Sequence, residues 1–326
     1  MGLRARRLVF AAPDGGRRQL LVWHPGSPGR HPLVLFNHGG ALAPDANRML
    51  MQALAGQGHV LASVAHPGES ADLAWDDGSR SGVDPERLAQ LTMQGEPLQA
   101  LARFHLAGDE AERRRLLPAL EEGFRNSLTA ATARWAVQTL DALAQLQALA
   151  AAGDPLMQAI DFERRAYAGM SLGGSVAVEC CFRDPSARAC INLDGMNWNF
   201  DRVDQDLPAA MLQLYADPTL LRAQVRAIVA QTGPPREHDA MPNDFFYEPP
   251  ERRGLRADVV RLVVPGAGHM AFTDHGGAAF NAMLAGLCGA FLDEHLRGNA
   301  DPGFAQALAA CPGVARQRPL RRALSR

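Results

Sequence analysis

The run Gly169-Met170-Ser171-Leu172-Gly173, with Gly174 behind it, sets a hydroxyl among small residues. A serine on a tight strand-to-helix turn takes a strained backbone conformation, and bulk at its flanks would collide with the neighbouring strand or helix. Arg165 to Ala168 reads as the short strand, and Ser175 to Phe182 as the helix, that such a turn requires. A serine hydroxyl is a poor nucleophile until a base removes its proton, so a histidine must follow along the chain. Among ten histidines, His269 stands in Pro265-Gly266-Ala267-Gly268-His269, on a glycine-rich loop after the last expected strand, with His275 close behind as the second choice. The chemistry implied is acyl transfer to Ser171 with His269 as base.

The imidazole needs an acid to orient it, and two aspartates lie between Ser171 and His269 at the ends of expected strands. Asp194 closes Ala189 to Leu193, and Asp217 follows Ala210 to Tyr215. Asp217 precedes Pro218 and a helical run, which suits a helix N-cap, whereas Asp194-Gly195 leads into the loop Met196-Asn197-Trp198-Asn199. Asp194 is therefore preferred, with Asp217 as the alternative. A tetrahedral oxyanion calls for two backbone N–H groups. Leu172 supplies one, and Asn37-His38-Gly39-Gly40 supplies the other, from Gly40 or, failing that, Gly39. His38 is expected to hold this loop by hydrogen bonding rather than to act on substrate.

The elements behind these residues follow from apolar runs bounded by turns. Leu8 to Ala12 and Gln19 to Trp23 flank the turn Pro13-Asp14-Gly15-Gly16 as a hairpin; Leu33 to Asn37, Val60 to Val64, Arg165 to Ala168, Ala189 to Leu193, Ala210 to Tyr215 and Val259 to Val264 follow. Helical patterns cover Pro44 to Ala55, Thr132 to Leu149, Leu172 to Phe182, Thr219 to Gln231 and Gly277 to Leu296. This alternation predicts an α/β fold: one mostly parallel sheet of about eight strands with helices on both faces. Residues 1–326 form a single domain on this reading. Within it, 69–131 is a helical cap or insertion after the fourth strand, with helices over Asp84 to Gln94, Pro97 to Ala107 and Asp109 to Glu121. The arginines at 316, 318, 321, 322 and 326 make 312–326 a basic, flexible tail.

Composition narrows the chemistry. All 33 basic residues are arginine and none is lysine, which removes Schiff-base enzymes and phosphate-loop nucleotidases. A net charge of −2 provides no general field for nucleic acid or an anionic membrane, and no run reaches the roughly 18 apolar residues of a membrane span. Five cysteines, two of them adjacent at 180 and 181, suit free thiols, and the arginine-rich N-terminus lacks a signal-peptide core; both favour a cytoplasmic protein. No histidine pair has zinc-site spacing with a glutamate beside it, and Gly266-Ala267-Gly268 lacks the third glycine of a dinucleotide loop, so no metal or cofactor is expected.

Taken together, Phe36-Asn37-His38-Gly39-Gly40, His66-Pro67-Gly68, Gly169-Met170-Ser171-Leu172-Gly173-Gly174, Asn192-Leu193-Asp194-Gly195 and Gly268-His269 with Phe272-Thr273-Asp274 resemble the α/β-hydrolases of the plasma-type platelet-activating-factor acetylhydrolase and dienelactone-hydrolase-like group, over roughly Gln19 to Leu296. The resemblance implies an α/β-hydrolase fold and a metal-independent serine esterase for short-acyl, small-molecule esters. It maps the acid onto Asp194 and an oxyanion contact onto Gly40. The 69–131 insertion departs from the family pattern. Met170, Trp198, Phe272 and, if the insertion folds over, Trp75 are candidate pocket walls. The alternatives are a polyester or lipid hydrolase with Asp217 as acid, and a catalytically silent fold of the same kind used for binding.

Overall fold

The computed structural model describes residues 2–107, 110–203, 205, 207–220, 259–299 and 303–316. Its main sheet has nine strands in the order β1-β2-β4-β3-β7-β8-β9-β10-β11. These are β1 (Arg4–Ala11), β2 (Arg17–His24), β3 (His31–Asn37), β4 (Val60–Val64), β7 (Ile160–Met170), β8 (Ala189–Leu193), β9 (Ala210–Tyr215), β10 (Val259–Val263) and β11 (Ala315–Arg316). The strands from β4 across to β10 run parallel, while β1, β2 and β11 are antiparallel to their neighbours. The ninth strand corrects the expected flexible tail at its first residues: Ala315 and Arg316 pair with Val263 and Leu262. The remaining tail arginines lie outside the described residues, as does the expected helix Thr219 to Gln231 beyond Leu220.

Burial on both faces explains the central strands. Every residue of β3, β4 and β8 is buried, so these strands read as continuous apolar runs rather than alternating ones. Successive side chains still part to opposite faces. Leu33 and Leu35 join one core layer with Val60, Ala62 and Tyr167; Val34 and Phe36 join the other with Leu61, Ala166, Ala168 and Met170. The first layer is covered by α5 (Ala130–Ala151), α7 (Leu172–Arg183) and the insertion. The second is covered by α1 (Arg48–Gly56) and the late helix Gly277–Leu292. That helix and its flanking turns, Asp274–Arg297, form a 24-residue stretch long and apolar enough to cross a membrane by length and composition. This corrects the expectation that no such run exists; here Leu284, Leu287, Phe291 and Leu292 are packed in the core.

Two boundaries differ for physical reasons. β7 extends well upstream of Arg165, where alternating polar residues hide it, because a bulge at residues 162–164 of β7, opposite the step from Pro32 to Leu33, lets Ile160 and Asp161 pair as well. Helix α1 begins at Arg48 rather than at Pro44 because the residues before it close into tight turns, Ala46 N–H to Ala43 O and Arg48 N–H to Asp45 O, and the side chain of Asn47 makes no cap hydrogen bond. Asn47 Nδ2 instead donates to Phe272 O at 2.5 Å.

The insertion begins with a two-stranded ribbon, β5 (Leu73–Ala74) and β6 (Arg80–Ser81). Three helices follow: α2 (Pro85–Leu91), α3 (Gly95–Leu106) and α4 (Glu110–Phe124). Asp84 caps α2, accepting from the N–H groups of Glu86 and Arg87. Leu101, Phe104, Leu120 and Phe124 carry the insertion into the first core layer.

Candidate active site

Ser171 sits at the corner between β7 and α7 with φ 56° and ψ −124°, a left-handed conformation that a non-glycine residue adopts only when its surroundings enforce it. The enforcement is visible. Ser171 N–H donates to Leu193 O at 2.9 Å, and Ser171 O accepts from Gly174 N–H at 2.9 Å. A Cβ at Gly173 would lie 2.1 Å from Asn37 O, and one at Gly195 2.1 Å from Ser171 O. The glycines around the serine are therefore required by close approach of backbone to backbone.

Asp194 leaves the end of β8, also at positive φ (54°). Its N–H donates to Leu214 O at 2.8 Å, and its Oδ1 accepts from Ala216 N–H at 2.7 Å. Asn192 steadies the turn from below through Gly195 N–H at 2.8 Å and Gly195 O at 3.0 Å. The second carboxylate oxygen, Oδ2, is thereby aimed at His269 Nδ1, 2.6 Å away. His269 Nε2 lies 3.0 Å from Ser171 Oγ. Three residues separated by 23 to 98 positions in sequence thus form one hydrogen-bonded line, with the imidazole exposed and the carboxylate largely buried.

Asp217 is elsewhere occupied. Its Oδ1 accepts from Thr219 N–H and Oγ1, and its Oδ2 from Gly266 N–H at 2.7 Å. The Thr219 hydroxyl and the Gly266 N–H hold its carboxyl below the usual carboxylate range. Asp217 is thus both a cap, as its Pro218 neighbour suggests, and a brace on the loop that carries His269, because its N–H also donates to Ala267 O. His275 lies in the turn beyond, its N–H bonded to Thr273 Oγ1. The far side of the His269 loop is pinned by Asn47 on Phe272 O and by Asp274 N–H on Ala46 O at 2.9 Å.

Leu172 is the first residue of α7, where helix N–H groups lack intrahelical acceptors. Gly40 stands beside it: a Cβ at Gly40 would meet Leu172 Cδ2 at 3.7 Å and Leu91 Cδ1 of α2 at 3.5 Å, so the insertion reaches this loop. Gly39 is tighter still, with 2.9 Å to Met170 Sδ. His38 is fully buried; its Nδ1 faces Gly39 O at 2.7 Å and its Nε2 faces Ser70 Oγ at 2.5 Å, the loop-holding arrangement expected for it. Burial lowers its pKa to about 4 and pushes that of the neighbouring His66 well down.

The candidate pocket walls divide. Met170 is buried in the second core layer with its sulfur toward Gly39. Trp198 packs on Phe124 of the insertion and anchors its loop through its N–H to Ser175 Oγ at 2.9 Å. Phe272 is a fully buried core residue against Phe280, and Trp75 packs with Ala65 and Leu73 beneath Arg17. The latter two are core and edge residues by their contacts.

The chain is similar, with TM-score 0.59, to a ferulic acid esterase from Streptomyces cinnamoneus of known structure, at 20% sequence identity over 97% of this chain and 96% of that one. The protein has an α/β-hydrolase fold. No family model and no curated protein sequence matches the chain. Ser171, at the end of β7, Asp194, at the end of β8, and His269, on the loop after β10, gather at the carboxyl end of the sheet. In the sequence Glu69 marks only the start of an insertion, and Ala41 and Trp135 carry no local signature, since each bonds a partner distant in the chain; Asn192 stands in the run Asn192 to Gly195, and the fold adds its grip on Gly195.

Proposed function

We propose that the protein is a serine carboxylic ester hydrolase that works through an acyl-enzyme on short-acyl esters. The line Ser171 Oγ, His269 Nε2, His269 Nδ1, Asp194 Oδ2, with separations of 3.0 and 2.6 Å, carries this reading. Asp194 holds the imidazole in the tautomer with its proton on Nδ1, leaving Nε2 free to accept. His269 takes the Ser171 proton as the oxygen attacks the ester carbonyl, and Leu172 and Gly40 N–H groups hold the oxyanion. His269 returns the proton to the departing alcohol. A water deprotonated by His269 then releases the acid and restores Ser171.

Short acyl groups are supported by the apolar residues crowding the Gly39-Gly40 loop, namely Met170, Leu91 and Leu172. Asp217 as the acid, which the polyester or lipid alternative invokes, has its carboxylate engaged by Thr219 and Gly266. A panel of acetyl, butyryl, octanoyl and feruloyl esters, run beside Ser171→Ala, tests the proposal. Rates should decline with acyl length and vanish in the variant. Turnover that rises toward octanoyl, or is highest on the feruloyl ester, would sink the short-acyl assignment. Failure of a fluorophosphonate to label Ser171 would favour the silent, binding reading.

A further inference from the structure

Among the described residues only four non-glycine residues have positive φ, namely Ala41, Asp72, Ser171 and Asp194. Two belong to the line of side chains above. Ala41, at φ 59°, follows Gly40 directly, and a β-carbon held in that region is strained and persists only where its neighbours over-determine it. The neighbour is the segment starting at Glu69. Ala41 N–H donates to Glu69 O at 3.1 Å, and Ala71 N–H donates back to Leu42 O at 3.0 Å, so residues 69–71 act as a template for loop 39–42.

Glu69 is itself fixed through its side chain. The carboxylate is 1% exposed yet meets Arg134 Nε at 3.0 Å and Nη2 at 2.6 Å, Trp135 Nε1 at 2.9 Å and Arg87 Nη1 at 3.3 Å. A buried carboxylate with this many N–H donors has little freedom to move. Trp135 in turn stacks on His66 at 3.8 Å and 9° and lies 5.0 Å from the His38 ring, which contacts Gly39 O. Glu69 therefore reaches the loop from two directions: by its own carbonyl at Ala41, and through Trp135 and His38 at Gly39. Its Arg87 contact adds the insertion helix that brings Leu91 against Gly40.

We infer that Glu69 is a positioning residue for the oxyanion loop, aligning the Gly40 N–H through the strained Ala41. The inference rests on the function proposed above. An interaction needed only when charge develops on the carbonyl oxygen lowers kcat and kcat/KM together and leaves KM nearly unchanged.

The test is hydrolysis of p-nitrophenyl acetate by Glu69→Gln, Glu69→Asp and Trp135→Phe beside the unaltered protein and Ser171→Ala, with each rate divided by the serine titrated with a fluorophosphonate. Glu69→Gln should lose about 10- to 100-fold in kcat per titrated serine, a fraction of what losing an oxyanion donor outright costs. KM should move less than about threefold, with the pH–rate profile unshifted because the Ser171–His269–Asp194 line is intact. Glu69→Asp should recover part of the rate. Trp135→Phe deletes one donor to the carboxylate but keeps an aromatic ring on His66, and it should lose rate in the same kcat-only manner; it decides the matter if Glu69→Gln does not fold. A kcat per titrated serine within about twofold of the unaltered protein in Glu69→Gln, or in Trp135→Phe where the former is unfolded, overturns the inference while the esterase reading stands on Ser171→Ala. Absence of labelling and turnover in the unaltered protein overturns the esterase reading, and this inference with it.

Discussion

Asp194 Oδ2 stands 2.6 Å from His269 Nδ1, while its Oδ1 accepts the Ala216 N–H at 2.7 Å. One carboxylate thus joins the end of the sheet to the loop that carries His269 with both oxygens committed. Asp194→Asn should preserve the fold, because the amide oxygen can still accept from Ala216. Facing Nδ1 with an NH2 group, however, it would favour the wrong tautomer. We expect kcat to fall by roughly 10³- to 10⁴-fold, measured on a short-acyl ester with the thermal midpoint as control. A loss under about tenfold would remove Asp194 from the proposed mechanism.

Asp217→Asn should behave differently. It weakens the brace on Gly266 and Thr219 without touching the imidazole, so stability should drop by about 1 kcal/mol and kcat by less than about tenfold. Comparing urea unfolding with turnover for the two variants separates the roles. If the Asp217 change alone cripples turnover, the assignment is reversed.

The glycines around Ser171 are not equivalent. Gly173→Ala would place a methyl 2.1 Å from Asn37 O, and backbone cannot retreat there without moving β3; we expect a loss of about 3 kcal/mol or a failure to fold. Gly40→Ala meets nothing nearer than 3.5 Å and should change stability by less than about 1 kcal/mol. Soluble yield and thermal unfolding of the two proteins check this contrast.

Acid should destabilise the fold through its buried imidazoles. His38, fully buried, is held at about 4 against an ordinary 6.5, and His66 is depressed by burial too. As pH falls below about 6.5 the unfolded chain binds protons that the folded one refuses, so stability declines until the folded His38 itself protonates near 4. Between pH 7.5 and 5.5 the two residues should together remove about 2 to 3 kcal/mol, seen as a lower urea midpoint. In His38→Gln roughly half of that dependence should disappear. An unchanged midpoint across this range would show that these rings are not neutral in the fold.

The turn at Ser171 was legible because its demands are local. Ser171 needs small neighbours within two or three positions and a strand and helix on either side, and Gly169 to Gly174 display both. The central strands were legible for a related reason: burial on two faces leaves continuous apolar runs such as Leu33 to Phe36. The sheet's edges were legible only in part, since Leu8 to Ala12 reads as one strand of the opening hairpin but its exposed start and the last strand do not. Arg4 to Arg7 is exposed and Ala315–Arg316 is two residues long, and neither needs an apolar pattern to pair.

The amino-acid sequence by itself determined the sheet's interior, the corner that bears Ser171 and the glycine-rich loop that bears His269. Each follows from a pattern within a few residues or from chain order. Only the tertiary structure separates the surroundings of Asp194 and Asp217, because both end strands and both can cap; it puts the Asp194 carboxylate against the His269 imidazole, 75 residues on, and that of Asp217 on Gly266. It alone also joined Glu69 to Ala41, Arg134 and Trp135. A buried carboxylate takes its meaning from the donors around it, and folding brings those donors from two separate stretches, at Arg87 and at Arg134-Trp135.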